Sequence, residues 1–225
     1  HVIANMGAEL GATTTVFPSD DLTREFLKSQ QRESDWQEIV ADKDARYDEY
    51  EEIDLSQLEP LIALPSSPGK VVPVQEVAGR PIYQSMIGSS ANPGLRDFSI
   101  AAEIVAGKQI FPGVSFDINP TSRQILENMV ELGILEKLIR AGGRIHQAGC
   151  NGCIGMGQAP ASGKISLRTV PRNFPGRSGT KEDQVYLCSP EIAAASALTG
   201  VITDPRSLKD KVYPHFKEPE KIIIN

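Results

Sequence analysis

Apolar positions along this chain switch between two periods, and the switches outline its elements. Residues 85–88 close a short apolar run that reads as the end of a strand. Residues 95–106 then repeat small and apolar side chains at helical spacing, and 114–118 read as a second strand. Pro120-Thr121-Ser122 offers a helix start, with Ile125, Leu126, Met129 and Val130 on one face. Gly133 interrupts that face, Ile134, Leu135, Leu138 and Ile139 continue it, and Gly142-Gly143 stops it. Residues 144–147 are expected as a strand feeding a cysteine loop, and 190–199 as a helix of small residues ended by Gly200. Strands alternating with helices of this length predict an α/β layered domain.

The amino-terminal part is patterned differently. Residues 4–15 place small and apolar side chains around Gly7 and Gly11, which predicts a tight turn feeding a helix. Ser19-Asp20-Asp21 can cap a helix through Leu22, Phe26 and Leu27. A second helix over 36–40 and a short strand over 53–55 are expected. Residues 64–70, rich in Pro, Ser and Gly, read as a linker, so the domain boundary is expected within 65–80.

Composition narrows the function classes. The chain has 225 residues, 40% of them hydrophobic and only 6% aromatic, so Ala, Val, Ile and Leu must fill the core. Its net charge is −6, with an acidic run over 42–52 and no basic stripe, which argues against a nucleic-acid partner. No apolar run approaches about 20 residues, the length a membrane helix needs. No signal peptide is visible, and the chain opens on His1-Val2-Ile3 without Met, so it is read as a piece of a longer protein. Three cysteines are too few for a disulfide framework and suit a reducing compartment.

Three segments carry chemistry. Cys150-Asn151-Gly152-Cys153 sets two thiols three positions apart on a glycine-bearing loop. That spacing suits a redox pair, a metal or cluster site, or two structural thiols equally well. Arg172-Asn173-Phe174-Pro175-Gly176-Arg177 puts two guanidinium groups around a turn, suited to the carboxylates of an anionic substrate or simply to solvent. Gly88-Ser89-Ser90-Ala91-Asn92 follows an apolar strand and places polar groups at the carboxyl end of a sheet.

In this order and spacing, the segments resemble the aconitase family. Its Gly-rich signature is similar to Asn5 through Pro18, and its next landmark to Tyr47-Asp48 through Leu55. Ile87 through Asn92 matches the turn that carries its first cluster cysteine, and Gly149 through Gly155 the loop with the other two. Arg172 through Arg177 matches its substrate-binding arginine segment, and Ser189 through Gly200 the helix that follows. The resemblance implies two α/β domains, each a sheet flanked by helices: a second domain over 1–75 and a third, cluster-bearing domain over 76–225. It also implies a [4Fe-4S] cluster and a hydro-lyase that isomerises a citrate-like di- or tricarboxylic hydroxy acid. Carried over by position, Cys150 and Cys153 are cluster ligands, Arg172 and Arg177 bind substrate carboxylates, and Glu52 handles the proton of the hydroxyl. The first domain and the swivelling domain that complete such a site are partners absent from this chain.

Two positions depart from the family pattern. Ser90 stands where the first cluster cysteine is expected. An alkoxide is a harder donor than a thiolate, so a cluster on Ser90, Cys150 and Cys153 is expected to be labile. Pro171 stands where an Asn is usual. The opening block around Gly7 and Glu9-Leu10-Gly11 looks closer to aconitases proper than to isopropylmalate dehydratases, so citrate and isocitrate rank first as substrates. Homoaconitate, isopropylmalate and methylcitrate types follow, with a cluster-deficient paralogue or an RNA-binding form as the readings from other classes. The expected compartment is the bacterial cytoplasm, or else the mitochondrial matrix.

Overall fold

The structure, a computed structural model, describes residues 2–209. Contacts divide the described residues into two compact units, Ile3–Leu58 and residues 59–209 together with Val2.

The larger unit is one seven-stranded sheet flanked by helices. Its strands are β1 (Leu61–Ala63), β2 (Val71–Pro73), β3 (Gln84–Gly88), β4 (Ser115–Asn119), β5 (Arg144–Ile145), β6 (Ile165–Arg168) and β7 (Gln184–Leu187), in spatial order β2-β1-β7-β6-β3-β4-β5. The five strands from β7 to β5 run parallel, and β1 and β2 add an antiparallel edge. Every residue of β3 is buried, as a strand covered on both faces requires. The pattern of α/β segments read from the sequence is therefore the architecture found.

Four helices of this unit follow from local signals. They are labelled after α1 (Val2–Met6) and α2 (Asp21–Ser29) of the amino-terminal region: α3 (Leu95–Val105), α4 (Arg123–Glu131), α5 (Ile134–Ala141) and α6 (Pro190–Thr199). Ser122 Oγ accepts the Ile125 N–H at 3.1 Å and starts α4. Ser189 Oγ accepts the Ile192 N–H at 3.3 Å, with Pro190 in the first turn of α6. Helix α6 has no polar face because its Ala-rich surface is buried on all sides. Its small side chains bring it close enough to β3 for Ser85 Oγ to donate to Ala193 O at 2.8 Å. Helix α3 packs against α5 and α6. Phe98, Ala101, Val105, Ile118, Leu138, Leu167 and Ile192 meet in the resulting core. Each large side chain fully buried there is worth about 1.5–3 kcal/mol.

The amino-terminal unit differs more from expectation. Asp20 caps α2 through the Thr23 N–H at 3.1 Å, as expected. Residues 36–40 form no helix: Ile39 instead bridges Ser19, and the Arg24 guanidinium sits 5.3 Å over the Trp36 ring. Residues 53–55 form no strand, and Leu55–Gln57 is a single 3-10 turn started by Asp54. The expected linker 64–70 is the hairpin turn between β1 and β2, closed by the Leu64 N–H to Lys70 O bond at 2.8 Å. Only Gly7 is buried among residues 3–58, and apolar side chains such as Phe17, Leu22 and Phe26 are exposed. Among the described residues no helix is long and apolar enough to cross a membrane.

Candidate functional site

Parallel strands deliver their carboxyl ends to one edge of the sheet. The chain runs from β3 to β4 and β5 on one side and returns as β6 on the other, so β3 and β6 flank the point where strand order reverses. Ligands of open α/β sheets bind there. The turn after β3 carries Ser89 and Ser90, and the segment after β6 carries Arg172 and Arg177.

The β3 end is tightly built. Gly88 has φ +147°, and a Cβ there would fall 2.1 Å from the backbone oxygen of Asn119 on β4. Its N–H donates to Thr169 Oγ1 at 2.9 Å. Ser89 also has positive φ (+128°) and is buried, whereas Ser90 is exposed.

The cysteine loop hangs from two buried side chains. Asn119 ends β4, and its Nδ2 donates to Gln147 O at 2.8 Å and Gly149 O at 3.1 Å. Its Oδ1 accepts the Gly152 N–H at 3.0 Å. Arg168 ends β6 with no solvent exposure. Its Nη1 donates to Gly152 O at 2.7 Å, and its Nη2 donates to Gln158 O and, at 2.9 Å, to Gln84 Oε1. Burial pulls the guanidinium down to about 10, against the opposing pull of Asp117, Asp183 and Cys153. It still carries its charge at neutral pH. A Cβ at Gly152 would strike Gln158 Oε1 and Met86 Cε at 1.6 and 2.4 Å, so the loop backbone lies flush on its floor.

The two thiols are unequal. Cys150 is exposed and Cys153 is 3% exposed. A hydrogen bond from Ser90 foremost, then those of Ser89 and Cys153 and the charge of Arg177, outweigh burial and lower the Cys150 thiol below its ordinary value. Arg177 Nη2 donates to Cys153 Sγ at 3.2 Å and Nη1 to Cys153 O at 3.2 Å. Cys188, off this loop, is packed against the main core, and burial pushes its thiol far up.

Behind the loop, Asp117 is fully buried on β4. Burial would raise its carboxyl, but hydrogen bonds from His146, Gln84 and Ser115, and the charge of Arg144, win and hold it below the ordinary carboxylate range. The His146 Nε2 to Oδ1 distance is 2.9 Å.

Of the residues singled out from the sequence, the structure gathers Ser90, Cys150, Cys153 and Arg177. Arg172 is half-buried on the same segment as Arg177. Glu52 lies in the amino-terminal unit, exposed, with the Tyr50 hydroxyl 3.5 Å from its carboxylate. Sequence reasoning passed over Asn119, Arg168 and Asp117. The available signal was Asp117, a charged residue inside the strand expected over 114–118, where it must find a buried partner, whereas Asn119 and Arg168 end their strands and β6 has no local mark in the sequence. Among the described residues no three His, Cys, Asp or Glu side chains gather as a metal site.

Fold and site together define an α/β protein with a dithiol, a serine and an arginine at the switch point of a parallel sheet. Comparison with known proteins makes the assignment specific: the profile of the Aconitase family (aconitate hydratase) matches residues 1–200, and the chain belongs to that family. It is 38% identical over 205 residues to the 3-isopropylmalate dehydratase large subunit 2 of Archaeoglobus fulgidus, covering 91% of this chain and 49% of that protein. The 3-isopropylmalate dehydratase large subunit 1 of Methanopyrus kandleri is 42% identical over 206 residues, covering 91% and 49%. That of Thermotoga maritima is 41% identical over 207 residues, covering 91% and 50%. The chain thus spans about half the length of the curated relatives it matches. These relatives do not support the citrate-first ranking drawn from the opening Gly-rich block: they are hydro-lyases named for isopropylmalate.

Proposed function

We propose that the whole protein is a hydro-lyase that moves a hydroxyl between neighbouring carbons of a 3-isopropylmalate-type hydroxy diacid, by loss and re-addition of water. The observation that carries this reading is the convergence of Ser90, Cys150, Cys153 and Arg177 at one end of the sheet. The names of the relatives support isopropylmalate over citrate.

The residues fit an iron–sulfur cluster with one substitution. Two thiols three residues apart present an edge, and the Ser90 hydroxyl, in hydrogen-bond reach of the Cys150 thiol, is the third donor. When bound, such a cluster supplies a Lewis-acidic iron toward the substrate hydroxyl. The chain's own residues do the rest. Arg177 brings a positive charge to the mouth of the loop, and with Arg172 on the same segment it offers charge to substrate carboxylates. Glu52 is the proposed proton-handling carboxylate, on the resemblance alone. Unchanged turnover in Glu52→Gln would remove it from that role.

Other parts of the protein complete the site. The relatives are named as large subunits, so a small-subunit partner belongs to this proposal, and further domains would cover the apolar side chains left exposed in residues 3–58. A cytoplasmic location accords with the bacterial and archaeal relatives.

The test is iron and acid-labile sulfide in the anaerobically reconstituted full-length protein, followed by hydration and dehydration assays with 3-isopropylmalate and citrate. A stoichiometric cluster with turnover of 3-isopropylmalate is expected. Absence of a cluster until Ser90 is changed to Cys would identify a cluster-deficient paralogue instead, and preference for citrate would overturn the substrate.

A further inference from the structure

Gly152, between the two cysteines, is held at both ends of its own peptide unit. Its N–H is taken by Asn119 Oδ1 at 3.0 Å and its carbonyl by Arg168 Nη1 at 2.7 Å. The two side chains also grip the loop on either side of this point. Asn119 holds the entry through Gln147 O and Gly149 O, and Arg168 holds the exit through Gln158 O. Both residues are fully buried and end parallel strands on either side of β3.

A surface loop rich in Gly would ordinarily be free to vary its backbone, and its two thiols would lose that freedom only on binding a metal. Here the backbone between Cys150 and Cys153 is fixed by the sheet itself. Arg168 is costly for this purpose. Its guanidinium gives up all its water, and it is offset by Asp117 and Asp183 and by four protein acceptors. A buried cation with two of its donors committed to one loop's carbonyls is a device for holding that loop.

We infer that Asn119 and Arg168 are positioning residues that set the spacing of the Cys150 and Cys153 thiols before any metal arrives. The inference rests on the cysteine loop being a soft-metal site, as in the proposed function, but on neither the identity of the metal nor that of the substrate.

The test uses Cd2+ alone, titrated into the full-length, cluster-free protein and followed by the sulfur-to-metal charge-transfer band. The signal of a Cys150→Ser/Cys153→Ser variant is subtracted to isolate this pair. Arg168→Met and Asn119→Ala are each expected to weaken Cd2+ binding by about 10–100-fold, the usual effect of losing the groups that orient metal ligands. Ser85→Ala removes a buried hydrogen bond to α6, away from the loop. It should lower thermal stability yet bind Cd2+ as the parent does. If Arg168→Met fails to fold, Asn119→Ala decides, since it changes no charge. Cd2+ affinity within twofold of the parent in folded Asn119→Ala, or an equal loss in Ser85→Ala, overturns the inference. A protein that holds no iron and sulfide but still loses Cd2+ affinity in these variants keeps the positioning role and discards the hydro-lyase.

Discussion

Gly88→Ala is the sharpest test of how the sheet presents the site. Gly88 ends β3 at φ +147°, a conformation that side-chain-bearing residues rarely adopt, and forcing Ala there costs about 1–3 kcal/mol. The added Cβ would also lie 2.1 Å from the Asn119 carbonyl oxygen and 2.7 Å from its carbon. Those atoms are backbone on a paired parallel strand, in register Gly88 to Asn119, so they cannot swing aside as a side-chain tip would. Overpacking of that kind adds about 1–3 kcal/mol. The sum, about 2–6 kcal/mol, is a large share of the 5–15 kcal/mol typical of whole proteins. Gly107→Ala isolates the conformational part: Gly107 has φ +69°, and a methyl group there would meet no atom within 4 Å, so about 1–2 kcal/mol is expected. Equilibrium urea unfolding followed by circular dichroism gives both values. A gap of less than about 1 kcal/mol between the variants would refute the claim that β3 and β4 are locked at this point. It would also weaken the account of how Ser89 and Ser90 are aimed.

Three further outcomes follow from the electrostatics and the donor set. The Asp117 carboxyl is held below its ordinary value, so it stabilises the fold fully above the unfolded pKa near 3.8 and loses that contribution as pH falls through the lower folded value. The acid limb of stability should therefore flatten in Asp117→Asn, which should also cost about 3 kcal/mol at neutral pH by stranding buried partners, and an unchanged acid limb would contradict the assignment. Iodoacetamide at about pH 8 should alkylate the exposed Cys150 ahead of the partly buried Cys188, whose thiol is pushed far up, by peptide mass, and labelling of Cys188 before Cys150 would contradict that order. Ser90→Cys should raise retention of iron and sulfide in air by replacing a hard oxygen donor with a thiolate, and equal loss from both proteins would show that Ser90 is not a ligand.

Much of the larger unit was legible in the sequence because its signals are local. Ser122, Gly133, Gly142, Ser189 and Gly200 start or stop helices through contacts a few residues away, and each lies where its chemistry predicts. Strands β6 and β7 were not legible: four residues each, one ending in Arg168, they acquire strand character only from parallel partners distant in sequence. Residues 36–40 and 53–55 failed for a related reason. Residues 3–58 bury almost nothing of their own, so local propensity there has no core to confirm it.

The site shows the same division more sharply. Spacing alone put two thiols on one loop and left redox, metal and structural readings open. To that the structure adds unequal thiols, one exposed beside Ser90 and the other buried under Arg177, on a loop whose central peptide is held from both sides, and the proposed metal-binding reading draws on that hold. None of that is local. Asn119, Gly152 and Arg168 lie on three separate segments, and only the parallel register of β3 with β4 and β6 brings them together. A structural pair of thiols has no need of a buried cation beneath it. A reactive metal-binding pair gains from one, because fixing the backbone in advance removes an entropic cost that the ligand would otherwise have to meet. The buried charge of Arg168 at the end of β6 is therefore the most informative position in the chain after the cysteines themselves.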